Sequence, residues 1–448
     1  MSGISLRLLA VAVLLWPAAL SAEALSLDEC LDLAARGNLS ILQQQERLEI
    51  ARADVDVQAA AGWPRLFVSS SARYVSELAR LEMPFLPPSY QGTEMGAKDQ
   101  YDIYAGLTVP IFTGMRTRYQ ALSAGERLTR AAEEGRQLQN LVDLRVRQLY
   151  YALEGNILGQ GVLSASLRRV ENHLDRSRKL LREGQATAFD TLDASTRRLE
   201  IATHLGSMRH AFRETAAKLA ALLNIEAVDS IEGSIPAGLP EETGVLADYE
   251  ALARGLRPEL AAGRSLIREA EYKKGIVRSS YFPQVSLAAS YHYARPGVNY
   301  FSDEWMDYYS VGVELQWEIW NRGRRGNESR MQDNLIRAAG IEQEKAWREI
   351  RREVAEAYEN LADSAERIVL RRRLVEMEEE RYKIALERHG QGLATAVELG
   401  DAEESLTSAQ LEFRGSEIEF MVNRAAMDYA TGAPPRRGGA TGESGGRR

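Results

Sequence analysis

A chain of 448 residues with 27% charged and 45% hydrophobic side chains is neither wholly disordered nor a bundle of membrane-spanning helices. Its formal net charge is −8, and its Lys and Arg residues are spread along helical faces, so no basic patch offers itself to nucleic acid. The five histidines lack metal-ligand spacing, and no nucleophile and base pairing, P-loop or dinucleotide fingerprint is present, so no metal, cofactor or catalytic residue is expected.

Residues 1–24, MSGISLRLLAVAVLLWPAALSAEA, combine Arg7, an apolar run from Leu8 to Trp16 and small residues at Ser21, Ala22 and Ala24. This predicts a cleaved secretory signal, because the run is too short to span a membrane. No later segment offers eighteen uncharged apolar residues. The single cysteine, Cys30, follows Asp28 and Glu29 well past any cleavage point, so neither a lipid anchor nor a thiol or metal site is expected.

Ser26-Leu27-Asp28-Glu29 has the capping-box pattern and predicts a helix running to about Gly62, where Trp63-Pro64 stops it. Two alternating segments follow, then a helix over about 115–183, a Gly-marked break, and a helix over about 188–224. The order then repeats. A helix from about Leu246 to Tyr281 ends before Phe282-Pro283, and two further alternating segments lead into helices over about 323–388 and 396–430. GWPRLFVSSSARY parallels YFPQVSLAASYHY, LTVPIFTGMR parallels LQWEIWNRGR, and FDTLDA parallels VELGDA. Three blocks in one order define a large duplication, residues 25–232 and 233–432, rather than a short solenoid repeat. Residues 433–448 read as a disordered tail.

At about 1.5 Å per residue a helix of nearly seventy residues is roughly 100 Å long. Rods of that length predict coiled-coil hairpins, each long helix matched by two shorter ones stacked end to end. Ile350, Val354, Ala357, Leu361, Ala365 and Ile368 supply an apolar stripe for such packing.

The alternating segments have a period of two over about ten residues, the length of a tilted membrane-crossing strand. Leu66, Val68, Ala72 and Tyr74 fall on one face of the first. Tyr101, Ile103, Ala105, Leu107, Val109 and Ile111 do so in the second, and Val285, Leu287, Ala289, Tyr291 and Tyr293 in the third. In the fourth, Tyr309, Val311, Val313, Leu315, Trp317 and Ile319 oppose Ser310, Gly312, Glu314, Gln316 and Glu318. A soluble sheet with one face on a core would also alternate, but Tyr74, Tyr101, Tyr291, Tyr293 and Tyr309 near the loops, with Trp317 and Trp320 near the helices, favour two interfacial aromatic belts of an outer-membrane barrel. Glu314, Gln316 and Glu318 are then expected to face the barrel lumen. Four strands cannot close a barrel and open edges are not tolerated in lipid, so the barrel must be shared among protomers.

The duplicated order of elements, the strand exits VPIFTGMR and WEIWNRGR, and the breaks REGQATAFDTLDA and RHGQGLATAVELGDA together resemble the outer membrane efflux protein (TolC-type) family over about residues 25–432. The resemblance implies a mainly α protein with a small β part, a homotrimer with one twelve-stranded barrel in the bacterial outer membrane and a helical tunnel in the periplasm. It implies an exit duct without enzymatic activity, serving tripartite efflux or type I secretion with a periplasmic adaptor and an inner-membrane transporter. Carried over by position, the breaks are hairpin tips where the tunnel narrows and the adaptor docks. Glu398 and Asp401, with Asp190 and Asp193, would line the constriction. Gly184, Ala186, Thr187, Phe189, Gly390, Gly392, Leu393 and Thr395 would form the tips. Where some members carry an arginine and a tyrosine as a latch, this chain has His389 and Ala394, which leaves Arg388 as the candidate. A soluble periplasmic coiled-coil adaptor without a pore is the competing reading.

Overall fold

The computed structural model describes residues 24–81, 85, 87, 93–184, 186–235, 244–299 and 302–433. The expected signal up to residue 23, the expected tail from residue 434, and part of the loop before residue 93 lie outside the described residues. In chain order the elements are α1 (Leu27–Gly37), α2 (Leu39–Ala60), β1 (Arg65–Tyr74), β2 (Ala79–Leu81), β3 (Thr93–Met95), β4 (Asp99–Phe112), α3 (Arg116–Arg182) and α4 (Ala188–Leu223). They continue with α5 (Leu246–Leu256), α6 (Pro258–Ser279), β5 (Gln284–Arg295), β6 (Met306–Gln316), α7 (Arg324–Gly390) and α8 (Ala396–Thr431). The helices of the two halves match in length at 11, 22, 67 and 36 residues.

Each expected first helix is in fact two. Ser26 and Glu29 close the anticipated capping box at the start of α1, but Asn38 interrupts the helix. Its Oδ1 accepts from the Ser40 and Ile41 amides at 3.0 and 3.3 Å, and its Nδ2 donates to the Leu222 carbonyl at 2.9 Å. A side chain that caps one helix end while bonding a neighbouring helix makes the break cheaper than continuity. In the second half Pro258 does the same work. It opens α6 at its first position and holds Arg257 in an extended conformation.

The long helices organise the rest. The upper half of α3 lies between α2 and α6, and its lower half runs against α4 and α8; α7 packs on α6 above and α8 below. The rods are therefore cross-braced between repeats, where the expectation paired helices only within each repeat. Two buried clusters sit at mid-height. Tyr150, Val146 and Leu153 of α3 meet Cys30, Leu219 and Leu223 in one, and Ile350, Val354 and Leu361 of α7 meet Ala253, Leu260 and Met427 in the other. Burial pushes the Cys30 thiol up to about 12, with the Glu29 charge adding to it, so at neutral pH Cys30 packs in the core as a protonated thiol.

The main sheet has the order β1-β4-β5-β6, antiparallel throughout. Its register lines up the four apolar faces: Leu66 opposes Leu107, which opposes Ala289, which opposes Val311. One side of the sheet is apolar and the other carries Arg65, Ser69, Asp102, Thr108, Ser286 and Glu314. A short ribbon of β2 and β3 extends the first loop, which the alternation did not foretell. The fourth strand also ends earlier than expected. It stops at Gln316, so Glu318 lies two residues past its end; its carboxylate accepts from Asn321 Nδ2 at 3.0 Å and Arg325 at 3.2 Å. There the chain turns through left-handed Arg322 and Gly323 into α7, as Gly114 and Met115 turn into α3.

Candidate functional site at the hairpin tips

Both tips are built by one device. Gly184 and Gly392 adopt φ of 73° and 72°, a left-handed backbone that ends α3 and α7 and reverses the chain. Gly390 is different: it is an ordinary last residue of α7, so the turn places no such demand on it. Thr187 then caps α4 and Thr395 caps α8. Each closes a capping box, the first with Asp190 and the second with Glu398. Thr187 N–H donates to Asp190 at 2.8 Å and Thr395 N–H to Glu398 at 2.9 Å. The Thr187 bonds hold the Asp190 carboxyl below its ordinary value. Two of the four expected constriction acids are thus held by the backbone of their own turn.

The other two converge on a residue that the sequence did not single out. Arg197, on α4, donates from Nε to Asp193 at 3.1 Å and from a terminal nitrogen to Asp401 on α8 at 3.1 Å, with Glu404 at 3.5 Å. Burial opposes its charge, but the bonds from Asp401 and Asp193 outweigh it and raise its pKa. The guanidinium rests against Gly400, where an added Cβ would stand 2.5 Å from Arg197 Cζ. The only signal in the sequence was Gly400 one residue before Asp401, a close-approach position without a visible partner. Behind this contact lies a cavity of about 250 Å³ walled in part by Leu163, Val170, Ile201 and Leu411. One turn further, Glu403 is held by Arg169 at 3.2 Å; burial raises its carboxyl despite that partner.

Arg388, the expected latch, meets none of these acids. It donates to the Leu393 carbonyl at 3.3 Å and holds its own turn. His389 bonds the Ala394 carbonyl at 3.1 Å and meets His173 of α3 edge to face, ring centroids 5.4 Å apart. His173 Nε2 is buried without a hydrogen-bonding partner among the described residues. Burial first, then His389 and Arg197, with Arg176 adding slightly, hold its imidazole below the ordinary 6.5, while Asp193 pulls the other way. Above pH 6.5 both the packed and the released ring are neutral, so pH has no leverage. Below it the released ring takes the proton first, and the packed tip weakens. Protection of the amides around residues 170–176, with the intrinsic pH dependence of amide exchange divided out, should therefore fall between pH 7 and 5, and His173→Gln should flatten that fall; an equal fall in the variant would refute this source.

Phe189, Leu192 and Leu393 are exposed at the tips, each more than 60% accessible, beside Ala186 and Val397. At the far end of the molecule Tyr74, Tyr101, Tyr291, Tyr293 and Tyr309 are exposed near the loops, with Tyr291 donating to Asp307 at 3.0 Å and Tyr293 stacked on Trp305 at 4.7 Å. Trp317 and Trp320 are exposed at the helical end of the sheet, Trp317 donating to the Tyr281 carbonyl at 3.2 Å. Glu314 and Gln316 stand on the polar side, opposite Ser286 and Gln284.

Among the described residues no helix is long and apolar enough to cross a membrane. A family model described as outer membrane efflux protein matches residues 30–224 and 249–432. The toluene efflux pump outer membrane protein TtgF of Pseudomonas putida is 24% identical over 348 residues, which cover 76% of this chain and 70% of that protein. The probable efflux pump outer membrane protein SepC, also of Pseudomonas putida, matches over the same lengths at the same identity. Among solved structures, the outer-membrane channel OprN aligns with TM-score 0.73 at 20% identity, covering 91% of this chain and 90% of that one. VceC of Vibrio cholerae aligns with TM-score 0.73 at 20% identity over 91% and 96%. The match over both halves sets aside the soluble adaptor reading: the chain belongs to the outer membrane efflux protein family and is an efflux channel of the outer membrane.

Proposed function

We propose that three copies of this chain close a single twelve-stranded barrel continued by a helical tunnel, and that the duct opens and docks at its tips. The observation that carries this reading is the pair of unfinished edges in one protomer. β1 and β6 are the outer strands of a sheet whose apolar side is exposed, with Leu66, Val68, Val311 and Val313 all more than 60% accessible. Such edges are not stable in lipid unless they pair with further copies. The rods also expose single apolar side chains among charged ones, Ile50 and Val57 on α2 and Ile341, Leu370 and Met377 on α7, which neighbouring protomers would cover.

Within this assembly Glu398, Asp401, Asp190 and Asp193 stand at the pore constriction and repeat threefold about its axis, where a ring of carboxylates favours cations. Arg197 tethers α8 to α4 and so holds the tip shut. Phe189 and Leu393, with Gly184, Ala186, Thr187, Gly390, Gly392 and Thr395 shaping the turns, offer the apolar contacts for a periplasmic adaptor that couples the duct to an inner-membrane transporter. Tyr74, Tyr101, Tyr291, Tyr293, Tyr309, Trp317 and Trp320 anchor the barrel in lipid, and Glu314 and Gln316 face its lumen. The chain conducts and carries out no reaction. It is a duplication of units 25–232 and 233–432 behind a cleaved signal.

Buried Cys30 allows a direct test with introduced thiols. Trimers carrying Phe189→Cys or Leu393→Cys should crosslink to the purified adaptor through a short bifunctional thiol reagent, and trimers carrying Tyr309→Cys should not. Equal yields from the three sites would sink docking at the tips.

A further inference from the structure

The polar side of the sheet carries more than solvation requires. Tyr104 of β4, His292 of β5 and Tyr308 of β6 stand directly opposite one another across three strands. Their rings are stacked, with centroids 4.7 Å apart at 20° for the first pair and 4.7 Å apart at 1° for the second. Phe67 of β1 meets Tyr104 edge to face at 5.9 Å and lies over Gly106, whose missing side chain makes room for it. The Arg65 guanidinium sits 5.5 Å above the Phe67 ring.

The middle ring is pinned from both nitrogens. His292 Nδ1 lies 3.0 Å from an Asp102 carboxylate oxygen, and Nε2 lies 2.8 Å from Ser290 Oγ, which is itself 2.8 Å from Ser310 Oγ. A wall that only had to hold water would be served by serine and threonine. Rings fixed by a carboxylate and a hydroxyl relay are a rigid, shaped feature.

Resting on the trimeric barrel proposed above, we infer that this row forms a second narrowing of the conduction path at the level of the outer membrane, a size filter separate from the tip. Twelve strands at ordinary spacing and tilt give a barrel about 24 Å across between backbones. Because strands tilt, a row perpendicular to them climbs the wall, so three copies make three inclined ribs rather than one flat ring. Ser69, opposite Tyr104 in register, is the low point between one rib and the next. A large inward ring on three of every four strands leaves a far smaller passage than the strands alone would allow, and pore width is a first determinant of what passes.

The test does not involve the tip. Ser286→Cys places a thiol on the polar side of β5 on the helical side of the rib, and Arg73→Cys places one on its loop side. Maleimides on neutral polymers of graded size are added from outside to trimers whose conductance in planar bilayers has been checked. The size limit should be smaller at position 286 than at position 73. Tyr104→Ala with Tyr308→Ala should speed labelling of position 286 by the excluded size about tenfold, and Ser69→Tyr should lower the limit further. Should the double variant fail to form trimers, Ser69→Tyr decides alone by whether the limit falls. Equal limits at positions 73 and 286, unmoved by these substitutions in conducting trimers, overturn the rib and leave the barrel standing. An unsubstituted protein that forms neither trimer nor channel overturns both.

Discussion

Arg197→Ala should open the duct without dissolving it. The substitution removes the contacts that join Asp193 on α4 to Asp401 and Glu404 on α8. The guanidinium is about one fifth exposed, whereas Asp401 is more than half exposed, so solvent screens the cross-helix pair and the loss is modest. About 1 kcal/mol is the scale for such a pair, which moves a closed-to-open equilibrium roughly fivefold. Single-channel records should show a matching rise in open probability and stronger cation preference, because three positive charges leave the passage while the carboxylates stay. Gly400→Leu offers an independent route to the same state. It leaves every charge in place, but its side chain occupies the space of the guanidinium. Open probability unchanged in both variants would show that the α4 to α8 contact does not hold the gate.

Arg257→Met should be the more damaging change to stability. Arg257 is 4% exposed and fills the break between α5 and α6. It donates to Glu259 through two bonds at 3.0 Å, to Glu353 of α7 at 2.8 Å, and to the Tyr429 and Ala430 carbonyls at 3.2 and 3.3 Å, with the Tyr429 ring 5.0 Å from its centre. One side chain thus ties the helix break to α7 and satisfies the carbonyl end of α8. Removing it leaves two carboxylates and two carbonyls without their partner; because Glu259 and Glu353 keep part of their solvent, the cost falls to about 3 kcal/mol, the low end for breaking a buried pair. Lysine cannot replace it, since a single ammonium cannot reach all four acceptors from one position. Thermal unfolding should shift down by several degrees in Arg257→Lys and further in Arg257→Met; a midpoint within a degree of the parent protein in both would remove Arg257 from the scaffold.

What could be seen from the sequence followed from local rules. Capping boxes at Ser26, the period of two in the strands and the sheer length of α3 and α7 are each written within a few neighbouring residues, and the register then aligned four independently assigned faces. What could not be seen depended on residues far apart in the chain. Asn38 reads as an ordinary polar residue until its amide is found on Leu222. Pro258 is an ambiguous signal, since the helix resumes at once. At the tip, Asp190 and Glu398 are acids after a turn, each three residues past a threonine, so their capping boxes are local and legible. The contact one turn further on is not. Arg197 lies well inside a helix where many arginines lie, and only its distance from Gly400 distinguishes it from them.

The tips of the two repeats look alike, yet they are unequal in what they bring to the catch. The first repeat keeps the arginine, and the second supplies the glycine hollow that receives it; the residue at the Arg197 position of the second repeat is Ser405. Six hairpins that were identical would need symmetry to find their mates. Here hook and eye are encoded in one polypeptide, so each subunit is fastened before it meets another, and the trimer proposed above would carry three catches whatever the order in which its subunits meet.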